Sequence, residues 1–438
     1  MDESRRHFLA AGAATVPALA AAASRGEDRG PLPIALVGAG GMGRGHLGLL
    51  ARRDDVRVAW VCDVDAGRRE AARKLVAEAG REPPRATADL REILADATVR
   101  AVWIATPDHW HAPAAILAAA AGRHVYVEKP ACHSLREGRL MVEAARRNRV
   151  VMQVGTQSRS TATIRAAIDR LRAGAIGEVL VAKAWNSQLR RSIGREQPSA
   201  PPPELDYDLW VGPAEWQPYR RNLLPGTWRF WRNFGCGDIG NDGVHEIDIA
   251  RWGLGVDAHP DRIAGLGGKY FFDDDQEFPD TQYCVWEWPA PAGSHRRRQL
   301  VFEQRDWSPY VQEGHENGNA FYGTDGLLVL GKNSGWQLYS KRNKLVEEMQ
   351  GSVSVPAHHD DFLDAVRTAA GGEPRRPHAD IEEGHRSAAL VHLGNIACRT
   401  GRTLAFDATA ERIVNDPEAD ALLRRGYRPG HWAAPAGG

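Results

Sequence analysis

The sequence predicts an α/β chain of two domains: a doubly wound parallel sheet over residues 31–156, then an α+β domain over residues 157–438 with a large, open, mostly antiparallel sheet. Three observations carry this reading. Helical and β-like patterns alternate from Gly43 to about Val154, as they do where crossover helices join parallel strands. The first strand runs straight into Gly38, Gly40 and Gly43, the G-x-G-x-x-G spacing of a dinucleotide-binding Rossmann turn. Beyond Trp252, strand-like runs follow one another with turn-like separators and few helical interruptions.

In chain order, Ser4-Arg5-Arg6-His7-Phe8-Leu9 and an alanine-rich apolar stretch to about Ala23 open the sequence. This reads as a twin-arginine export signal over residues 1–25: the apolar part is short for a membrane span, contains Pro17 and ends in small residues. The expectation is a periplasmic or otherwise exported protein that meets the Tat export machinery already folded. The remainder is long enough for two sizeable cores, and 43% hydrophobic with 26% charged residues is the composition of a soluble protein. Basic and acidic side chains balance at 56 each, so no charged field invites nucleic acid, and no membrane span is expected. The five cysteines (Cys62, Cys132, Cys236, Cys284, Cys398) lack C-x-x-C spacing and give neither a disulfide framework nor a zinc site.

Ile34 to Val37 suit a buried parallel strand. Gly38 then permits the tight turn, Gly40 lets the backbone approach a pyrophosphate, and Gly43 lets the new helix pack closely on the sheet, with Gly41 and Met42 at its N-terminus. A helix to Arg53 and a strand over 57–62 lead to Asp63, 25 positions after Gly38 and suited to a ribose diol, which favours NAD; Arg68 and Arg69 lie close enough for NADP to be possible. A helix over 66–79 follows, then strands over 101–105, 124–127 and 150–154, with helices from Ala112 and Leu135. Two strand ends carry chemistry, Thr106-Pro107-Asp108-His109-Trp110-His111 and Glu128-Lys129-Pro130, because ligands of such sheets bind at the carboxyl ends of the strands. Thr106, Pro107, His111, Glu128 and Lys129 therefore join the expected cofactor set.

The second domain starts with a strand over 179–186 and a long irregular segment in which Trp185, Trp210, Trp216, Trp228 and Trp231 alternate with Arg220, Arg221, Arg229 and Arg232. Rings and arginines of this kind suit a sugar's apolar face and hydroxyl rim, or else staple the loop to the core. From Gly237 to Trp252, helical spacing puts Asp242, His245, Ile249 and Trp252 on one stripe, with Asp248 one turn after the histidine. A histidine among carboxylates can move a proton near neutral pH. One local histidine is too few for a metal site, and none is expected. Strands are expected over 262–272, 281–288, 299–304 and 327–330, with Gly323-Thr324-Asp325-Gly326 as a turn. An open sheet needs cover on one face, so a homodimer or homotetramer through it is expected. Helices from His358 and over 380–399 close the chain, the second with His385 and His392 on one face as core or interface residues.

The stretches VGAGGMG (37–43), TPDHWH (106–111) and VEKP (127–130), with GAIGEV (174–179) and the segment from Gly240 to Trp252, resemble the Gfo/Idh/MocA oxidoreductases, named for glucose-fructose oxidoreductase and inositol dehydrogenase. The resemblance runs over essentially the whole chain after the export signal. It implies a nicotinamide-dependent oxidoreductase acting on CH–OH groups of a sugar, sugar derivative or polyol, with C-terminal helices returning to the cofactor domain. In that family the E-K-P lysine, here Lys129, holds the hydroxyl that is oxidised. The family pattern D-x-x-x-H-x-x-D places an aspartate four before the histidine, whereas here Asn241 stands four before His245 and Asp242 three before. Either Asp242 substitutes through a backbone shift, or Asn241 serves as a neutral hydrogen-bonding group with His245 as base; Asp248 is expected to orient the ring. Lys129, His245, Asp242 and Asn241 form the expected catalytic set. Related enzymes imply the alternative of an NAD-dependent, redox-neutral glycoside hydrolase or lyase. A non-catalytic sugar-binding protein fits less well with Lys129 and His245 present. Joined to export, the resemblance implies a tightly held cofactor recycled within the site.

Overall fold

The structure, a computed structural model, describes residues 30–369 and 374–438, so the expected export signal at 1–25 lies outside the described residues. Six strands, β1 (Leu32–Val37), β2 (Val56–Cys62), β3 (Arg85–Thr87), β4 (Ala101–Ile104), β5 (His124–Val127) and β6 (Met152–Val154), form a parallel sheet in the order β3-β2-β1-β4-β5-β6. The order reverses between β1 and β4, and the crevice at that switch point is where a doubly wound sheet binds ligand. β4 and β5 are buried throughout, as strands covered on both faces must be. The helices α1 (Gly41–Leu50), α2 (Ala66–Glu78), α3 (Leu90–Ala95), α4 (Asp108–Ala120) and α5 (Leu135–Arg147) connect them. Asp65, Asp89 and Ser134 cap α2, α3 and α5 by accepting from backbone N–H groups of the first turn. α4 begins at Asp108 rather than at Ala112, so the T-P-D-H-W-H stretch is itself the helix entry. β3 and α3 are too short to leave a periodic signal.

After α6 (Ala162–Arg172) come β7 (Val179–Ser187), α7 (Tyr207–Val211), α8 (Val244–Leu254), β8 (Arg262–Gly268), β9 (Thr281–Trp288), β10 (Arg298–Arg305), β11 (Asn317–Gly323), β12 (Gly326–Gly331), β13 (Gly335–Ser340), β14 (Lys344–Met349), α9 (Val355–Thr368), α10 (Ile381–Thr400), β15 (Leu404–Asp407), β16 (Arg412–Val414) and α11 (Pro417–Ala421). The strands order as β14-β13-β12-β11-β7-β10-β9-β8-β15-β16, antiparallel except for the β7–β10 pair. The strand expected over 262–272 stops at Gly268 because the Asp280 carboxylate accepts from the N–H groups of Tyr270, Phe271 and Phe272 and turns the chain off the ladder. Trp286, Phe302 and Phe321 of this sheet meet Ile247 of α8 and Leu393 of α10 in one core. α10 packs on both α5 and β8, and α9 sends Phe362 and Val366 onto Trp103 and Tyr126 of the first sheet. The two sheets are thereby joined, and residues 31–438 form one compact unit.

Candidate active site

At the end of β1 the geometry requires glycine. Gly38 has φ +90°, and a Cβ on it would lie 2.5 Å from Ala105 O; a Cβ on Gly43 would lie 1.8 Å from Gly38 O. A Cβ on Gly41 would meet nothing within 4 Å, because this side opens into a cavity. α1 has neither a capping side chain nor an acidic residue in its first turn, so its first N–H groups are free for a phosphate. The cavity measures about 900 Å³, and every cofactor residue expected from the sequence except Gly43 lies in its wall. Gly43 instead supports the turn from beneath. This uncapped helix end over an open cavity fits a dinucleotide.

Asp63 lines the cavity. Its Oδ2 accepts from Ala39 N at 2.7 Å and its Oδ1 from Asp65 N at 2.9 Å. Burial raises its carboxyl above the usual range while these hydrogen bonds work against that shift. Arg68 lines the cavity, whereas Arg69 donates to Asp63 O at 2.6 Å and is occupied there. His111 has its ring nitrogens 2.7 Å from Pro130 O and 2.9 Å from Thr106 O, so it ties the two strand ends together. Glu128 is buried, with Oε1 2.8 Å from His46 Nε2, and His46 Nδ1 lies 2.8 Å from His359 Nε2. Burial would raise the Glu128 carboxyl, but the His46 hydrogen bond and the charges of His46 and Lys129 hold it below the usual range.

Lys129, in the same wall, donates from Nζ to the backbone carbonyl of Asn241 at 2.5 Å. Asn241 belongs to a π-helical turn, Ile239–Gly243, that enters α8; its Nδ2 donates to Asp238 Oδ1 at 2.8 Å, and the residue lines the cavity. Asp242 is ion-paired with Arg190, which also holds Asp238 at 3.1 Å. Against its burial, the charges of Lys129 and Arg190 keep Asp242 below the usual carboxylate range. His245, in the first turn of α8, is pushed well below its usual value by burial and by the charges of Lys332 and Lys129, so it is neutral at neutral pH.

Residues 32–156 match the model of the Gfo/Idh/MocA oxidoreductase family's NAD-binding Rossmann domain, and residues 184–264 and 331–433 match its C-terminal α/β domain. The chain belongs to the Gfo/Idh/MocA oxidoreductase family. It is 33% identical over 299 residues to scyllo-inositol 2-dehydrogenase (NAD(+)) of Bacillus subtilis, covering 68% of this chain and 73% of that one. It is 30% identical over 230 residues to levoglucosan dehydrogenase of Pseudarthrobacter phenanthrenivorans, covering 51% of each. Among the curated relatives matched first, the chain spans about half of their length. The fold is similar to that of levoglucosan dehydrogenase in complex with NADH, at TM-score 0.64 and 18% identity over 85% of this chain and 98% of that one. NAD is the cofactor of the first domain.

Read as a Gfo/Idh/MocA site, the structure departs from the sequence expectation at the Asp242–His245 stripe and at Asp248, and it divides the tryptophans between the two roles left open for them. The π turn breaks the expected stripe: Asn241 lines the cavity while Asp242 is engaged by Arg190, so of the two arrangements left open the geometry favours Asn241 facing Lys129. Asp248 does not orient His245, because its carboxylate accepts from Arg159 Nε and Nη2 at 2.9 Å and from Ser387 Oγ at 2.6 Å. Of the tryptophans, Trp210 and Trp228 reach the cavity; Trp185 and Trp231 are buried in the core and Trp216 is exposed. The sequence reading missed Arg190 and Trp432. The first lies in an irregular segment with no periodicity, and the second comes from the chain's end to line the cavity, with the Arg91 guanidinium 4.7 Å over its ring.

Proposed function

We propose that this protein is an NAD-dependent oxidoreductase that oxidises a CH–OH group of a sugar, sugar derivative or polyol. One observation carries the reading: at the reacting end of a dinucleotide cavity, the Lys129 ammonium is held by a carbonyl rather than a carboxylate. Its other N–H groups and its full charge are available to a substrate hydroxyl. Bound NAD supplies the acceptor for the hydride that leaves the carbinol carbon. The chain's own residues do the rest. The turn at Gly38–Gly41 and Asp63 hold the pyrophosphate and ribose ends, and Lys129 holds the hydroxyl oxygen and favours loss of its proton; the neutral His245 ring, four residues after Asn241 and not itself part of the cavity wall, is the expected acceptor of that proton. The Asn241 carbonyl fixes the direction of Nζ, and Arg190 keeps Asp242 out of proton transfer.

The proposal extends to place and assembly. Exported by the twin-arginine route with its cofactor in place, the enzyme would recycle NAD in the site, returning hydride to a second sugar or to the same sugar after an intervening step. Pairing into a homodimer or homotetramer would use the uncovered face of the large sheet, where the cross-strand neighbours Leu266 and Tyr283 stand exposed. No helix among the described residues is long and apolar enough to cross a membrane. Absorbance at 340 nm on a panel of sugars and polyols, after exhaustive dialysis and with or without added NAD, tests the reading. NADH formation with added NAD supports a dehydrogenase, and turnover without added NAD supports recycling. No consumption of any CH–OH substrate under either condition contradicts both.

A further inference from the structure

Arg229 is a cation without an anion. It stands in the single turn Thr227–Phe230, in the wall of the same cavity as Lys129, Asn241 and Trp228. Among the described residues no hydrogen bond or ion pair reaches its guanidinium, and its Nε is buried without a partner. The Trp228 ring lies 5.2 Å from its guanidinium carbon. The neighbouring Arg190 is treated differently, paired with Asp238 and Asp242. Burial pushes the Arg229 guanidinium below its usual value, the direction expected where no local carboxylate compensates.

The carboxylates that act on Arg229 from a distance are committed elsewhere. Asp238 and Asp242 bind Arg190, and Asp108 accepts from Cys236 N at 3.1 Å. The loop is also shaped around the arginine. A Cβ on Gly226 would lie 3.2 Å from its Nη1, and a Cβ on Gly235 would lie 2.4 Å from its Cα, so two glycines leave room for the side chain and for its backbone. Asp108 and Asp242 act electrostatically on both Arg229 and Lys129, and the two cations line the same cavity.

An unpaired guanidinium beside a reacting centre is costly unless a ligand brings the opposite charge. We propose that Arg229 is a carboxylate subsite and that the substrate is a sugar acid, its carboxylate on Arg229 and its reacting hydroxyl on Lys129. The planar fork of the guanidinium matches a carboxylate through two parallel N–H···O bonds. A single uncommitted guanidinium balances one negative charge, whereas a phosphate monoester brings roughly 1.5 to 2. This inference rests on the oxidoreductase reading for the role of Lys129, but it is tested by binding.

The measurement is calorimetric binding to the NADH-loaded protein of D-glucuronate, D-galacturonate and D-gluconate, each against its neutral counterpart D-glucose, D-galactose and D-glucitol. D-Glucose 6-phosphate is added to the panel. At least one acid should bind about tenfold or more tighter than its neutral partner, as a charge-assisted pair implies. Arg229→Met should abolish that difference while leaving NADH affinity and neutral-sugar affinity within about twofold, and Arg229→Lys should lose part of it. Acids that bind no tighter than neutral sugars in the unaltered protein overturn the proposal, whatever the variants do. An Arg229→Met variant with equally weakened NADH binding assigns the guanidinium to the cofactor pyrophosphate and overturns it too, as does stronger binding of the sugar phosphate than of any acid. Turnover on the same panel reads the oxidoreductase proposal separately: Arg229-dependent binding of an acid with no oxidation anywhere would contradict that reading and the substrate role of the acid, and leave the carboxylate subsite standing.

Discussion

Lys129 follows the buried strand β5 by two residues, and Glu128 beside it is anchored by His46, which holds the backbone at this strand end. Its ammonium meets a neutral carbonyl, which orients it without quenching its charge. Lys129→Ala should therefore lower kcat by about 10²- to 10⁴-fold, the range of positioned proton-transfer groups, while NADH affinity by fluorescence titration stays near that of the unaltered protein. A variant with near-normal turnover would remove Lys129 from the chemistry. Asn241 and Asp242 show how one residue of register decides a role. The π turn presents the amide residue to the cavity while Arg190 engages the acid, and nothing in the local spacing distinguishes the two.

At the scale of elements, what the sequence made legible was local. The run Ile34 to Val37, its glycines and Asp63 lie within one βαβ unit, and their roles follow from spacing alone. The two strand ends that line the cavity, Thr106–His111 and Glu128–Lys129, were legible for the same reason. β11 was not: its sequence NGNAFYG carries two asparagines and two glycines and reads as turn, yet it is a central strand between β12 and β7, because its backbone is ordered by neighbours distant in sequence. Arg190 and Trp432 were missed on the same ground, since tertiary packing alone brings them to the site. The tail that carries Trp432 is pinned by Arg425 on Glu137 at 2.8 Å and by Arg428 on Asp208 at 2.7 Å, and the indole lines the cavity. Trp432→Ala should weaken NADH binding by about 5- to 30-fold through lost ring contact, read by equilibrium fluorescence, with kcat at saturating cofactor little changed. Unchanged NADH affinity would mean that the ring covers the cavity without touching the dinucleotide.

Across the whole molecule, the joints between the two sheets are rich in buried neutral histidines. Burial pushes His358 and His392 down to about 4, and His109 and His359 down to about 3. Each has a folded value below its unfolded value of about 6.5, so between these values the unfolded chain binds more protons and acid favours unfolding. Their contribution is constant above pH 6.5 and is lost progressively as pH falls toward 4 and then 3, by roughly 2 kcal/mol per histidine of the first pair at pH 5. Melting temperature should be flat on their account above pH 6.5 and fall steeply below it. A profile level down to pH 4.5 would contradict their burial as neutral rings.

The central claim is hydride transfer from a carbinol carbon within this cavity, and isotope tracing reads it even where NADH never accumulates. Sugars and sugar acids deuterated at their carbinol carbons are incubated with the NAD-loaded protein, and the dinucleotide released on denaturation and the recovered sugars are analysed by mass spectrometry. Deuterium in the released dinucleotide, or passed to a second, unlabelled sugar, is the predicted result for at least one substrate, and its loss in Lys129→Ala ties the transfer to this site. Deuterium that stays on its original carbon across the whole panel, with every sugar recovered otherwise unchanged, would contradict the account.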